Sequence, residues 1–227
     1  MRTDKQKAIK LRQSGKSYNQ ITKLLGIPKS TLSTWLKDLP LTSEASAKII
    51  SQGNFIAIKK LIKRNKQQSE IAKARHKDIK NKAKNEAVKF LKDPLFIAGI
   101  SLYWAEGYKK GWNKSNWKSI DFTNSDPDMI KLMMNFFKKF LKINKNDIKI
   151  QIMGHENGDI EKYINFWQNL TGVPRNNFFK PFLRTSKSSK KKTKSKLEYG
   201  TIHLRINRVE SFFKLYGWME ALKKKVI

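Results

Sequence analysis

Residues Gly99-Ile100-Ser101-Leu102-Tyr103-Trp104-Ala105-Glu106-Gly107 form an apolar stretch that stops on an acid followed by glycine. The stretch reads as a helix. Ala98, Ser101 and Ala105 fall at i, i+3 and i+7, so three small side chains share one helical face. Such a face lets a second helix approach closely. Glu106 stands at the helix end, and Gly107 occupies the place of a left-handed C-cap. The helix dipole already puts negative partial charge at that end. A carboxylate there needs a reason, and a bound cation is one.

Outward from this helix the chain alternates in period. Ser119-Ile120-Asp121-Phe122-Thr123 alternates as a strand. Ser125 or Asp126 caps a following helix with Met129, Ile130, Met133, Phe136, Phe137 and Phe140 inward. Ile148, Ile150 and Ile152 mark the next strand, and Asp159 to Leu170 a helix carrying Tyr163, Ile164 and Trp167. Ile202, Leu204 and Ile206 share one face of a strand whose other face shows Thr201, His203 and Arg205. Val209 to Leu222 closes the chain as a helix. Between the last two strands, Thr185 to Lys196 is a low-complexity Lys/Ser run. It grips phosphates electrostatically or is a solvated loop; both readings stay open. Trp112 and Trp117 flank Asn113 to Asn116, where packing over a sheet edge is weighed against base stacking.

Upstream, Asp93-Pro94 ends a basic stretch. Residues 43–93 are helical in composition, but large apolar side chains are sparse after Ile62. A coiled coil needs them at a and d through several heptads. We read a basic helical connector, broken near Gly53-Asn54. If helical from about Phe55 to Leu91 it reaches on the order of 50 Å, and its Lys and Arg either track phosphates or form a solvated face.

Residues 1–42 hold three short helical patterns. The first runs from about Lys5 to Gln13 and breaks at Gly15. Ser17-Tyr18-Asn19-Gln20 is a capping box for the second, whose buried face is Ile21, Leu24 and Leu25. Gly26 ends it. Pro28 opens the third, with Leu32, Trp35 and Leu36 inward. This segment resembles a helix-turn-helix of the resolvase and transposase type. The resemblance places Lys29, Ser30, Thr31, Ser33 and Thr34 outward on a recognition helix, facing a DNA major groove. A small helical bundle for protein contacts is the alternative.

The chain carries 49 Lys plus Arg against 18 Asp plus Glu among 227 residues, a formal net charge of +31. Such an excess points to a polyanionic partner, nucleic acid first. Codon bias in an AT-rich genome explains Lys over Arg but does not suppress acids. Cysteine is absent, which excludes disulfides and thiolate metal sites. His76, His155 and His203 lack metal-ligand spacing. The start lacks an apolar signal core, and no apolar run approaches the ~20 residues of a membrane span. We therefore expect a cytoplasmic, nucleoid-associated protein with no membrane partner.

Residues 94–227 resemble the LAGLIDADG homing-endonuclease fold. On Gly99 to Gly107, Leu102 matches the motif's second leucine, Ala105 its second alanine, Glu106 its last acid and Gly107 its last glycine. Thr123-Asn124-Ser125-Asp126, leading into an apolar helix, is similar to the family's second strand-to-helix joint. Ser101 replaces the inner glycine and Trp104 the first acid. The resemblance implies an αββαββα domain over 94–227; with the three-helix helix-turn-helix (1–42) and the basic helical connector (43–93), the chain reads as α+β in three parts.

It further implies a homodimer, because one such helix occurs and the family pairs two through their small residues. Two Glu106 carboxylates would then share divalent cations such as Mg²⁺ for phosphodiester hydrolysis of double-stranded DNA. The saddle of strands would lie in the DNA groove. On this basis Glu106, Lys180 and Arg205 are candidate catalytic residues, with Glu106 as metal ligand. Arg184, Lys190, Lys191, Lys192 and His203 join the recognition-helix residues as candidate DNA contacts. Two functions follow: a site-specific Mg²⁺-dependent DNA endonuclease, or a transcriptional regulator that keeps the scaffold for binding alone. RNA binding, as in maturases of the same fold, is a third; the helix-turn-helix argues against it, because A-form major grooves exclude side chains.

Overall fold

A computed structural model describes residues 3–109, 117–155, 158–184 and 198–227. The chain divides into two compact units, Met1–Ala72 and Lys73–Ile227.

The first unit holds α1 (Thr3–Gln13), α2 (Tyr18–Leu25), α3 (Lys29–Leu36) and the start of α4 (Ser43–Ala87). The capping box forms: Gln20 N donates to Ser17 Oγ at 3.3 Å, and Ser17 N donates to Gln20 Oε1 at 2.8 Å. Gly26 then stops α2 in the left-handed conformation at φ 69°. Ala8, Ile21, Leu32 and Leu36 form the small buried core. The Arg12 guanidinium lies 4.4 Å over the Tyr18 ring and ties α1 to α2. Leu24 corrects the sequence reading. It is 61% exposed, because Ile21 and Leu25 already fill the inward face of this two-turn helix.

α4 runs unbroken through Gly53 and Asn54, where the sequence reading places a break. A glycine inside a helix costs only about 1 kcal/mol relative to alanine, and the helix formers around it outweigh that. Every side chain from Gly53 to Ile71 is exposed, Phe55, Ile58 and Ile62 included. The helix ends at Ala87, short of Leu91.

The second unit holds the end of α4, then α5 (Pro94–Glu106), β1 (Ile120–Asn124), α6 (Pro127–Leu141), β2 (Ile148–His155), α7 (Ile160–Thr171), β3 (Phe182–Arg184), β4 (Thr201–Ile206) and α8 (Val209–Val226). The sheet order is β1-β4-β2-β3. β4 pairs antiparallel with both β1 and β2, and β3 adds parallel to β2. The order departs from the expected αββαββα. Among the described residues one strand, not two, separates α5 from α6, and α7 stands between β2 and β3.

Asp93 begins a helix rather than ending one. Its Oδ1 accepts from Leu95 N at 2.9 Å and Phe96 N at 3.3 Å, capping α5, while its Oδ2 takes Lys139 Nζ at 2.6 Å. Asp126 caps α6 in the same way. α6 buries Ile130, Met133, Phe136, Phe137, Phe140 and Leu141. At about 1.5–3 kcal/mol for each such side chain, this face is a large gross contribution to the core. Met129, expected inward, is 36% exposed at the first turn, outside that stripe. Phe96, Phe136, Phe140 and Trp218 pack edge-on or tilted at centroid distances of 5.0 to 6.2 Å. A Cβ at Gly99 would collide with the Phe136 ring, so α5 and α6 meet at van der Waals contact.

The two faces of α5 differ. Phe96, Gly99, Ile100 and Tyr103 are buried. Ser101 and Ala105 are exposed, Ala98 is half-buried and Ile97 is 39% exposed, so the small-residue face points away from this unit's core. Gly107 corrects the expected left-handed cap. Its φ is −74° and ψ 155°, extended. Glycine is needed there for space: a Cβ would lie 2.5 Å from the Tyr103 carbonyl oxygen and 2.7 Å from its ring. Gly107 instead makes an antiparallel bridge to Phe122, tying the end of α5 to β1.

Candidate nucleic-acid interface

In the first unit, Lys29, Ser30, Ser33 and Thr34 are exposed on α3, and Thr31 is half-buried. Leu32 and Leu36 hold the opposite side in the core. Thr34 Oγ1 donates to the Ser30 carbonyl at 3.2 Å, so its hydroxyl is partly committed to its own helix. A short helix anchored by two leucines and exposing a basic and hydroxylic edge has the form needed to enter a major groove.

In the second unit, Ile202, Leu204 and Ile206 of β4 point into the core, which sends Thr201, His203 and Arg205 to the other face. Register places Asp121 and Lys149 beside Arg205, and Thr123 and Gln151 beside His203. This polar face is half-exposed apart from Asp121. Lys149 Nζ donates to Asn177 Oδ1 at 2.6 Å, and Gln151 Nε2 to the Lys180 carbonyl at 3.1 Å.

Asp121 is the hub of this face. Arg205 Nε donates to its Oδ1 at 2.7 Å, and His203 Nε2 lies 3.0 Å from the same oxygen. Ser119 Oγ donates to Oδ2 at 2.7 Å and Trp117 Nε1 at 3.2 Å. The Arg205 guanidinium also lies 4.9 Å over the Trp117 ring. Only 7% of the Asp121 side chain is exposed. Burial by itself pushes its carboxyl up. The hydrogen bonds from His203, Arg205 and Ser119, with the Arg205 charge, outweigh that and hold it well below the usual carboxylate range. Beneath, burial pushes the Tyr103 phenol up; it stays neutral and donates to the Tyr108 carbonyl at 3.2 Å.

Glu106 differs from Asp121. It is exposed at the end of α5, and no described residue donates to its carboxylate. The cation that a helix C-terminus favours is Lys109, whose Nζ donates to the Trp104 carbonyl at 2.6 Å and the Ala105 carbonyl at 3.0 Å. Glu106, Tyr108, Trp117, Asp121, Thr123, His203 and Arg205 line one open cavity of about 440 Å³. The structure thus brings Glu106, His203 and Arg205 together. Lys180 is exposed ahead of β3, on the far side of β2 from β4, and does not line the cavity. Arg184 ends β3, the edge strand. Lys190, Lys191 and Lys192 lie outside the described residues. The sequence does not mark Asp121 or Ser119 as site residues, and it offers Trp117 only as a packing or stacking ring.

A family profile described as a homeodomain-like domain matches residues 2–39. The match covers the three helices α1 to α3. The first unit carries a homeodomain-like helix-turn-helix, which supports sequence-specific DNA binding. No curated protein matches the chain, and no solved structure does. Among the described residues, no helix is long and apolar enough to cross a membrane, and no group of three or more His, Asp or Glu is placed to hold a metal ion.

Proposed function

We propose that the chain is a site-specific, double-stranded DNA-binding protein in which the helix-turn-helix reads sequence and the polar sheet face of the second unit engages the DNA backbone. The observation that carries this reading is the pairing of a homeodomain-like module with a half-exposed Arg205–His203 face in a chain of net charge +31.

The LAGLIDADG resemblance extends the proposal to phosphodiester hydrolysis by a homodimer. Two features support it. The small-residue face of α5 is turned away from the core, and Glu106 ends that helix with its carboxylate unengaged by described residues. A free carboxylate is a hard oxygen donor and fits Mg²⁺. One such group is too few to hold the ion, so a second copy's Glu106 would complete the ligands. When bound, the ion supplies an activated water and charge stabilisation. Arg205 holds the phosphate, and His203 is within the same cavity to exchange a proton.

One observation favours the binding-only regulator as a second reading. Trp104 stands where the motif has its first acid, and its ring is taken up by Lys223, whose Nζ lies 4.8 Å over it. Incubating the protein with a selected duplex library, with and without Mg²⁺, separates the two. Cleavage that disappears in Glu106→Gln while binding persists supports the nuclease; binding without cleavage under any divalent metal leaves the regulator. Sedimentation in the presence of DNA tests the dimer.

A further inference from the structure

The second unit has two carboxylates at one cavity, and they are prepared for different tasks. Glu106 is open. Asp121 of β1 is saturated by four donors, two from β4 and two from the segment leading into β1. A carboxylate that accepts from arginine, histidine, serine and tryptophan has no lone pair left for a metal ion or a water.

We propose that Asp121 is a positioning residue for a phosphodiester-binding site made by Arg205 and His203, with Trp117 as its floor. The inference rests on the reading that this sheet face meets DNA. Arg205 spends its Nε on Asp121, and its plane lies over Trp117. Its two terminal nitrogens have no partner among the described residues, which leaves the half of the guanidinium fork that suits a phosphate. Asp121 is ionised and can only accept, so His203 donates through Nε2. That fixes the tautomer and leaves Nδ1 as an acceptor, so the ring reaches a phosphate oxygen through a bridging water that donates to both. Holding both groups before the ligand arrives removes the ordering cost of binding.

The position of the pair is costly unless it serves a purpose. A carboxylate beneath a phosphate site repels the ligand, so a purely electrostatic account makes Asp121 a hindrance. Positioning makes it a requirement. The two accounts predict opposite signs when the charge is removed.

The test uses the full chain and a fluorescein-labelled mixed-sequence duplex, titrated at several salt concentrations. Arg205→Ala should weaken binding roughly tenfold and flatten the log–log salt slope by about 0.9, the value for one lost phosphate contact. Asp121→Asn should reproduce most of that loss, and the double variant should add little to it. Unchanged or tighter binding by Asp121→Asn, with Arg205→Ala still weak, overturns the positioning role while leaving the DNA-facing sheet intact. An unaffected Arg205→Ala removes the sheet-face reading itself. If Asp121→Asn lacks a cooperative melt, Trp117→Phe deletes one donor to Asp121 and keeps the stacking ring. It should give a smaller weakening of the same sign, and tighter or unchanged binding again counts against the proposal. Nitrogen NMR of His203 gives a second readout: the Nε2–H tautomer in the parent chain, and a mixture in Asp121→Asn. A mixture already present in the parent chain overturns the tautomer claim.

Discussion

Gly99 of α5 lies flush against Phe136 of α6, with no room between them for a methyl group. Gly99→Ala should therefore destabilise the second unit despite alanine's better helix propensity. Overpacking a filled core costs about 1–3 kcal/mol. Ser101→Ala, on the exposed face of the same helix, should stay within about 0.5 kcal/mol. Urea unfolding of both variants checks the pair. Equal stability for the two would mean the α5–α6 contact has room for a methyl group.

Asp121 gives the second unit an acid-sensitive element. Its folded-state pKa is depressed below the ordinary 3.8, so its stabilisation is complete above that value and is lost as pH falls below it. Other carboxylates titrate in the same range. The informative quantity is thus the difference between the parent chain and Asp121→Asn, which should shrink as pH drops from about 5 towards 2. A difference that stays constant with pH would show that folding leaves the Asp121 pKa unshifted, and one that grows on acidification would show a neutral carboxyl in the folded state.

His76 gives the same unit a second pH dependence. It stacks on Phe213 at 4.2 Å, and burial, then Lys118 and Arg75, lower its pKa from 6.5. A lowered folded pKa means stability is present in full above 6.5 and declines as pH falls through it. The melting temperature should drop slightly between about pH 7.5 and 5.5, and His76→Phe should abolish that drop.

For the helix-turn-helix, Lys29→Ala with Ser30→Ala should erase sequence preference in a footprint and leave nonspecific affinity largely in place. Ser17→Ala should cost about 1 kcal/mol through the lost cap and leave the footprint's sequence unchanged. A footprint unaltered by the first pair would remove α3 from the recognition role.

The sequence carried these elements unequally. The capping box at Ser17 and Gln20 and the Phe-rich face of α6 are local signals, decided within a turn or two; the first formed as read and the second did so apart from Met129. Gly53 also reads locally as a breaker, but neighbouring helix formers overrode it. Gly107 reads as a left-handed cap because glycine tolerates that conformation; crowding by Tyr103 is a tertiary reason that the sequence hides. Asp121 shows only as one polar residue in an alternating strand. Its partners His203 and Arg205 lie 82 and 84 residues away, so their meeting depends on the β1–β4 register. β3 spans three residues after a proline and pairs in parallel, which no periodicity reveals.

The bare stretch of α4 has its own consequence. From Gly53 to Ile71 no side chain is buried, so helicity there rests on local energetics alone. Lys59 faces Lys63 and Lys60 faces Arg64 at i and i+4, each pair opposing the helix by a few tenths of a kcal/mol. Added salt screens that repulsion over about 10 Å at 0.1 M. Helix content by circular dichroism should rise with ionic strength over the very range in which DNA affinity falls. The same molecule would then answer salt in two directions, tightening along one segment as its grip on a polyanion loosens.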